Sequence, residues 1–281
     1  MPTPGPDTVI YGGNTSCLEI RADERLLIID LGTGVRPLGD WLIENELKKT
    51  GKIKADIFLT HTHWDHIMGF PMFNPIYIHG TELNITGPVS FGNDSLKSLI
   101  ENQLSYQYWP VRAGELAAVI EFNQIRETTL DLGGGLTVSS KFLNHPILCL
   151  GYRVDYQGKS IATVYDHEPF RNLFTDNETK LEGEIAAAEE NEKIRQFIKG
   201  VDIVIHDAQY TQEEYSSKSG WGHCSYDHAV EAAAVNGNKK VVFFHHDPAH
   251  ADSLLEQIEK SYANNTETQF LMAKEGLVLE A

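Results

Sequence analysis

Residues 60–70 read THTHWDHIMGF, and within them His61, His63, Asp65 and His66 occupy four of six consecutive positions. The chain carries only 12 histidines in 281 residues, so the cluster is far denser than dispersed surface histidines would produce. Imidazole nitrogens and carboxylate oxygens are ligands for zinc and other borderline first-row metals. In a tight turn His61 and His63 can point the same way, as alternate residues do, with Asp65 and His66 facing an adjacent position. Further ligands from later loops would allow two ions about 3.5–4 Å apart. The competing reading is a polar loop whose histidines are satisfied by hydrogen bonds.

The later ligand types are present. LNHP (143–146), VYDHEP (164–169), VIHDAQY (204–210) and FFHHDPAH (243–250) each put His or Asp at or just after the end of an apolar run. Side chains at such positions project from sheet edges into loops, where sites are built on a rigid scaffold. Four such endings and the opening cluster describe a site assembled from distant segments.

HTHWDH matches the HxHxDH signature of the metallo-β-lactamase fold hydrolases. GGNTSC, LIIDLGTG, HTHWDH, LNHP, VYDHEP, HDAQY, GHCS and FHHDP occur in that order over nearly the whole chain. The sequence resembles the phosphodiesterase side of that superfamily, the group around ribonuclease Z and the small cyclic-nucleotide phosphodiesterases. The resemblance implies an α/β fold, an αββα sandwich of two mixed sheets flanked by helices, as a single domain over 1–281. It implies that His61, His63 and His145 bind one metal, that Asp65, His66 and His246 bind a second, and that Asp166 bridges them. Zinc is the expected ion, with manganese as the alternative. His246 is taken because its place after VVFFH matches the family histidine following the last strand; His245 is the alternative. Asp65, where other branches carry Cys or Glu, disfavours the Cys-bearing lactamase and Glu-bearing flavodiiron versions.

GWGHCSYDHAVEAA resembles the ribonuclease Z segment in which a histidine before a Ser-initiated helix assists catalysis. His223 stands there, suited to protonate a departing alkoxide; otherwise it is a hydrogen-bonder at a helix entry. Asp65 would orient the attacking hydroxide. Asp30, ending LLIID, reads equally as a brace for a metal-bound histidine or as a turn-former. His228 reads as structural, Cys224 as a small buried filler, and His167, His206 and His250 receive no role. The aromatics of SYQYWP (105–110) with Tyr210, Tyr215 and Trp221 read as core or dimer contacts rather than as a base-stacking platform.

These residues need elements to position them. Strand-like runs are SCLEIRA, RLLIIDLG, ADIFLTH, YIHGTELNITG, LTVSSKFL, CLGYRVDY, KSIATVYD, VDIVIHD, KVVFFHH and QFLMAKEG. Helical patterns are VRPLGDWLIENELKKTG, GNDSLKSLIENQL, EIAAAEENEKIRQFIKG, CSYDHAVEAAAVNG and ADSLLEQIEKSYAN, with Ser225 and Ser253 as N-caps of the last two. Relatives carry a strand ahead of the PTPGPDT loop, whereas Met1 directly precedes it here. The expectation is therefore a domain lacking that first strand, with an exposed edge.

Composition narrows the partners. A net charge of −17, from 23 basic and 40 acidic residues, argues against a large basic groove for nucleic acid. Ribonuclease Z also has a long tRNA-gripping arm, and between LNHP and VYDHEP this chain has only a hairpin-length segment. The expected substrate is thus a small phosphodiester, with cyclic nucleotides and cyclic ribose phosphates both open and tRNA not expected. Hydrolysis of a lactone or thioester on the same metals, or non-catalytic metal or nucleotide binding, are the alternatives. No run approaches the ~18 apolar residues of a membrane span, and MPTPGPDTV, with no basic n-region and no apolar h-region, does not read as a signal peptide. Three separated cysteines, Cys17, Cys149 and Cys224, suit a reduced cytoplasm better than a disulfide framework. A homodimer through SYQYWP and the N-terminal edge is expected.

Overall fold

The computed structural model describes residues 1–90, 92, 94–174 and 179–281. They form two compact units, Met1–Arg126 and Glu127–Ala281.

The first unit holds a five-stranded sheet: β1 (Leu18–Ala22), β2 (Arg25–Ile29), β3 (Ile53–Phe58), β4 (Thr81–Pro88) and β5 (Val119–Ile125), in that spatial order. β1 and β2 form an antiparallel hairpin, and every later neighbour is parallel. Parallel pairing requires crossovers. The one from β2 to β3 is α1 (Val35–Leu42), a π turn (Ile43–Leu47) and α2 (Lys48–Thr50), closed by Gly51 at φ 71°. A single turn, α3 (Trp64–Ile67), follows β3, and α4 (Leu96–Glu101) lies between β4 and β5. Side chains alternate along a strand, so Leu26, Ile28, Ala55, Ile57, Leu83 and Ile85 share one face. They form a core with Val35, Leu42, Phe70, Phe73, Leu96 and Ile100. The register pairs Ile29 with Phe58 and Phe58 with Thr86, so β2 and β3 end side by side. Ligand loops of open α/β sheets leave from such strand ends.

The second unit holds seven strands in the order β12-β11-β10-β9-β8-β7-β6. β6 (Thr129–Asp131), β7 (Thr137–Leu143), β8 (Cys149–Tyr156) and β9 (Lys159–Val164) form an antiparallel meander. β10 (Ile203–Asp207), β11 (Lys240–Phe244) and β12 (Gln269–Met272) continue it in parallel. The crossovers are α5 (Lys180–Ile198) before β10, α6 (Gln212–Lys218) and α7 (Tyr226–Asn236) before β11, and α8 (Asp252–Tyr262) before β12. Val164 pairs with His206, and Asp207 with Phe244, so three parallel strands finish at one edge.

The ten predicted strand runs and five helical patterns all appear, although Asn93 of GNDSLKSLIENQL lies outside the described residues. Ser225 caps α7 as expected, accepting the His228 N–H, and His228 Nδ1 in turn faces the Ser225 N–H. Ser253 does not cap α8. That helix starts two residues earlier than a Ser253 cap implies, with Ala251 at its N-cap and Asp252 in its first turn, where a carboxylate suits the positive helix end. β5 and β6 were not anticipated; both are sheet-edge strands with few buried side chains. α3 and α6 are shorter than the periodicity that reveals a helix. In SYQYWP, Trp109 packs against the core and donates to the Tyr77 hydroxyl at 2.8 Å, while Tyr106 and Tyr108 are exposed.

Candidate metal centre

In the first unit, the turn after β3 is pinned to the loop after β2. The Leu31 N–H donates to His66 O, and the Gly69 N–H to Leu31 O, both at 2.8 Å. Glycine is required at this crossing: a Cβ on Gly69 would lie 2.0 Å from Gly32 O, and one on Gly32 would lie 2.4 Å from Asp65 O. GTG therefore serves close packing of the ligand turn.

Asp30 is the centre of this arrangement. It is fully buried at φ 64°. Its Oδ1 accepts the Thr60 N–H at 2.8 Å, and its Oδ2 accepts the Ser16 hydroxyl at 3.0 Å and His66 Nδ1–H at 2.7 Å. The two sequence readings of Asp30 are both realised: it turns the chain and braces a histidine. With Nδ1 protonated, His66 keeps its Nε2 lone pair for a metal. The Thr60 hydroxyl donates to the same carboxylate at 3.0 Å, so it acts as acceptor for His61 Nδ1–H, also at 3.0 Å. His61 is thereby left with an Nε2 lone pair. That atom lies 3.0 Å from His63 Nδ1, close to the roughly 3.3 Å between two nitrogens on one tetrahedral zinc with Zn–N near 2.0–2.1 Å. Asp65, on α3, is partly exposed.

In the second unit the strand ends carry the remaining residues. Asp166 follows β9, is 2% exposed and holds φ 46°. Its two oxygens face different histidines: Oδ2 is 3.6 Å from His145 Nε2, and Oδ1 is 3.5 Å from His245 Nε2. These separations are too long for hydrogen bonds and suit donors that share an ion. His145 Nδ1–H donates to the Gly222 carbonyl at 3.0 Å, which again directs Nε2 toward the carboxylate. Asp166, Asp207, His223 and His245 each present a ligand atom within 4.8 Å of one another.

His246 does not belong to this group. Its Nε2–H donates to Ala273 O at 2.9 Å, beyond the end of β12, and burial pushes its pKa down to about 4. His245 is the residue beside Asp166, with Gln209 Nε2 3.2 Å from its Nδ1. The backbone explains the choice. His245 takes φ 63°, which breaks the strand alternation directly after β11 and swings the second histidine away. Motif position alone cannot foresee that turn.

His223 Nδ1–H donates to Asp207 Oδ2 at 2.6 Å, and its Nε2 is 4.0 Å from Asp166 Oδ2. Asp207 is fully buried, and its Oδ1 accepts the Cys224 N–H at 3.2 Å. Asp207 stands in VIHDAQY without a role in the sequence reading, although its signal, a carboxylate closing a buried strand, is the same as that of Asp166. The unassigned histidines are braces. His167 Nδ1 accepts the Asn144 N–H at 3.1 Å, and burial pushes its pKa to about 3. His206, lowered by burial, donates to Asp207 O at 2.7 Å, and His250 pairs with Glu214 at 3.0 Å. Cys224 is the buried filler expected; burial pushes its thiol up.

Both donor sets fit divalent first-row metals. They offer imidazole and carboxylate, and His61, His66 and His145 are each tethered through Nδ1 by an oxygen, the usual means of orienting a ligating imidazole.

Comparison with known proteins gives the same direction. Residues 27–246 match the family described as "Beta-lactamase superfamily domain". "Ribonuclease BN" of Cronobacter sakazakii is 26% identical over 227 residues, 69% of this chain and 71% of that protein. "Ribonuclease Z" of Streptococcus equi subsp. equi is 26% identical over 257 residues, 76% of this chain and 78% of its own. Among solved structures, the metallo-beta-lactamase fold protein YhfI from Bacillus subtilis has a TM-score of 0.65 at 17% identity, covering 96% of each chain. The short form of human tRNase Z has a TM-score of 0.62 at 17% identity, covering 99% of this chain and 96% of that one. At such identity the structural likeness speaks for the fold.

Proposed function

Because this chain belongs to the beta-lactamase superfamily domain family and is a metallo-β-lactamase-fold hydrolase, we propose that it hydrolyses small phosphodiesters, cyclic nucleotides or cyclic ribose phosphates among them. In this reading His61, His63, Asp65, His66, His145, Asp166 and His245 hold two divalent ions, zinc or manganese. His245 replaces His246 in the set, because only His245 faces Asp166.

When bound, the ions would supply positive charge for the phosphoryl oxygens and lower the pKa of a water. The protein's own groups do the rest. Asp65 accepts a hydrogen bond from the attacking water and aims it. His223 enters protonated, with its Nδ1–H held by Asp207, and delivers the Nε2 proton to the departing oxygen. Asp207 stabilises that imidazolium and fixes its orientation.

The observation that carries the reading is His223, braced at 2.6 Å by buried Asp207 with its Nε2 turned to Asp166. A proton donor so placed matters most for an alkoxide leaving group. A thioester hydrolase on the same ligands, expelling a thiolate, would have less need of it. Turnover of bis-p-nitrophenyl phosphate with and without chelator, beside a lactone and a thioester, tests the class; a panel of cyclic nucleotides tests the substrate. Activity on the carbonyl substrates alone would refute the proposal.

The relatives named ribonuclease Z and ribonuclease BN favour a second reading, an RNA substrate. Two features weigh against it here. The net charge is −17, and the interval between LNHP and VYDHEP is filled by the β8–β9 hairpin. Cleavage of a structured RNA with a 3′ extension, faster than any small diester, would favour it.

A further inference from the structure

Glu168 lies two residues beyond Asp166 and is only 3% exposed. A buried carboxylate persists only with donors around it, and here they come from α6 and the short loop that follows it. The Gly220 N–H donates to Oε1 and Oε2 at 2.8 and 2.9 Å, and the Gly222 N–H donates to Oε2 at 3.0 Å. The Tyr215 hydroxyl donates to Oε1 at 2.8 Å. Gly220 and Gly222 have φ 93° and 87°, the left-handed conformations that turn nearby N–H groups onto one anion. The backbone of Glu168 is engaged as well. Its N–H donates to Asn144 O at 3.0 Å, and Asn144 Nδ2 donates to Glu168 O at 2.9 Å.

The partners of those bonds give them meaning. Asn144 immediately precedes His145. Gly222 immediately precedes His223, and its carbonyl receives His145 Nδ1–H. Glu168 thus holds His145 from the backbone side through Asn144 and from the ring side through Gly222, while anchoring the loop that carries His223. There is little slack in this arrangement: a Cβ on Gly222 would lie 2.4 Å from His145 Nδ1.

We propose that Glu168 is a positioning residue that keeps His145 and His223 in register with Asp166, so that metal holding and proton delivery depend on one buried carboxylate. The role given to His223 rests on the hydrolase reading above; the effect on His145 does not. Glu168→Gln is the direct test. Both carboxylate oxygens accept N–H or O–H donors, so wherever the new NH₂ lies it meets one, and the loop must shift. Gly222 O then leaves His145 Nδ1.

Cobalt(II) titration against a competing chelator should show one ion bound 10–100-fold more weakly in Glu168→Gln, the usual loss when an orienting partner of a ligand is removed, with the other unchanged. NMR of ¹⁵N-labelled imidazoles should show loss or shift of the His145 and His223 Nδ1–H signals, a readout that needs neither metal nor substrate. Tyr215→Phe keeps the carboxylate and removes one donor; it should move both readouts the same way by a smaller amount. A folded Glu168→Gln protein with wild-type cobalt affinities and unshifted imidazole signals would overturn the proposal. If Glu168→Gln does not fold, unshifted signals in Tyr215→Phe would overturn it. Failure of the phosphodiesterase reading would appear differently, as inactivity of the wild-type protein on diesters with both imidazole signals intact.

Discussion

Replacing Asp207 with asparagine perturbs the proposed proton donor without removing it. In the native site Asp207 Oδ2 accepts His223 Nδ1–H at 2.6 Å and the His167 N–H at 3.3 Å, while Oδ1 accepts the Cys224 N–H at 3.2 Å. An amide has one oxygen for these donors. If the oxygen stays on Cys224, the NH₂ faces His223 Nδ1 and drives the ring to a neutral, Nε2-protonated form, a poor acid. If the amide flips, two N–H donors collide at Cys224 and the negative charge is still gone. Either way the imidazolium loses its counter-charge. The loss should approach that of His223→Ala, about 10²–10⁴-fold in kcat, or roughly 2.7–5.4 kcal/mol of transition-state stabilisation at ~1.36 kcal/mol per decade. It should depend on the leaving group. A ribose hydroxyl needs the proton and should show the whole defect, whereas p-nitrophenolate departs readily and should be lost less than about tenfold. The assay is kcat for Asp207→Asn and His223→Ala on both substrate types, with metal content measured on the same samples. Equal losses on both substrates with full metal content would refute proton donation by His223.

The two adjacent histidines separate cleanly: His245→Ala should lose a metal equivalent by elemental analysis, while His246→Ala should keep both and lose stability to urea instead. His63→Ala should lose metal and fail on good and poor leaving groups alike. Asp30→Asn should weaken metal binding about 10–100-fold by releasing His66 from its orientation, read by chelator competition. Gly69→Ala should destabilise the protein by about 1–3 kcal/mol, the usual range for overpacking, because its Cβ meets Gly32 O at 2.0 Å; a chemical denaturation curve would check it. Exposed Tyr106 and Tyr108 are proposed as homodimer contacts, and light scattering at the 31.5 kDa monomer mass would refute that.

Much of this protein was legible from local chemistry. Runs such as RLLIID and VDIVIHD announce buried strands because apolar, β-branched residues without breakers have few alternatives. His61, His63, Asp65 and His66 announce a metal turn because ligand-type side chains rarely gather without one. Ser225 announces its helix because an N-cap is read within four residues.

What remained hidden depends on distance along the chain. Asp30 and His66 are 36 residues apart, and only the parallel register of β2 and β3 turns a loop aspartate into a brace for that histidine. Glu168 and Gly222 are 54 apart, and no local pattern distinguishes a carboxylate held by two glycine amides from one in solvent. The pair His245-His246 shows the limit most plainly. Both residues carry the same side chain, and a sequence has no means of ranking them. A single left-handed φ after β11 sends one toward Asp166 and the other toward Ala273. Side-chain chemistry is a property of the residue, but direction is a property of the backbone, and the backbone is settled by strands that meet only in the folded chain.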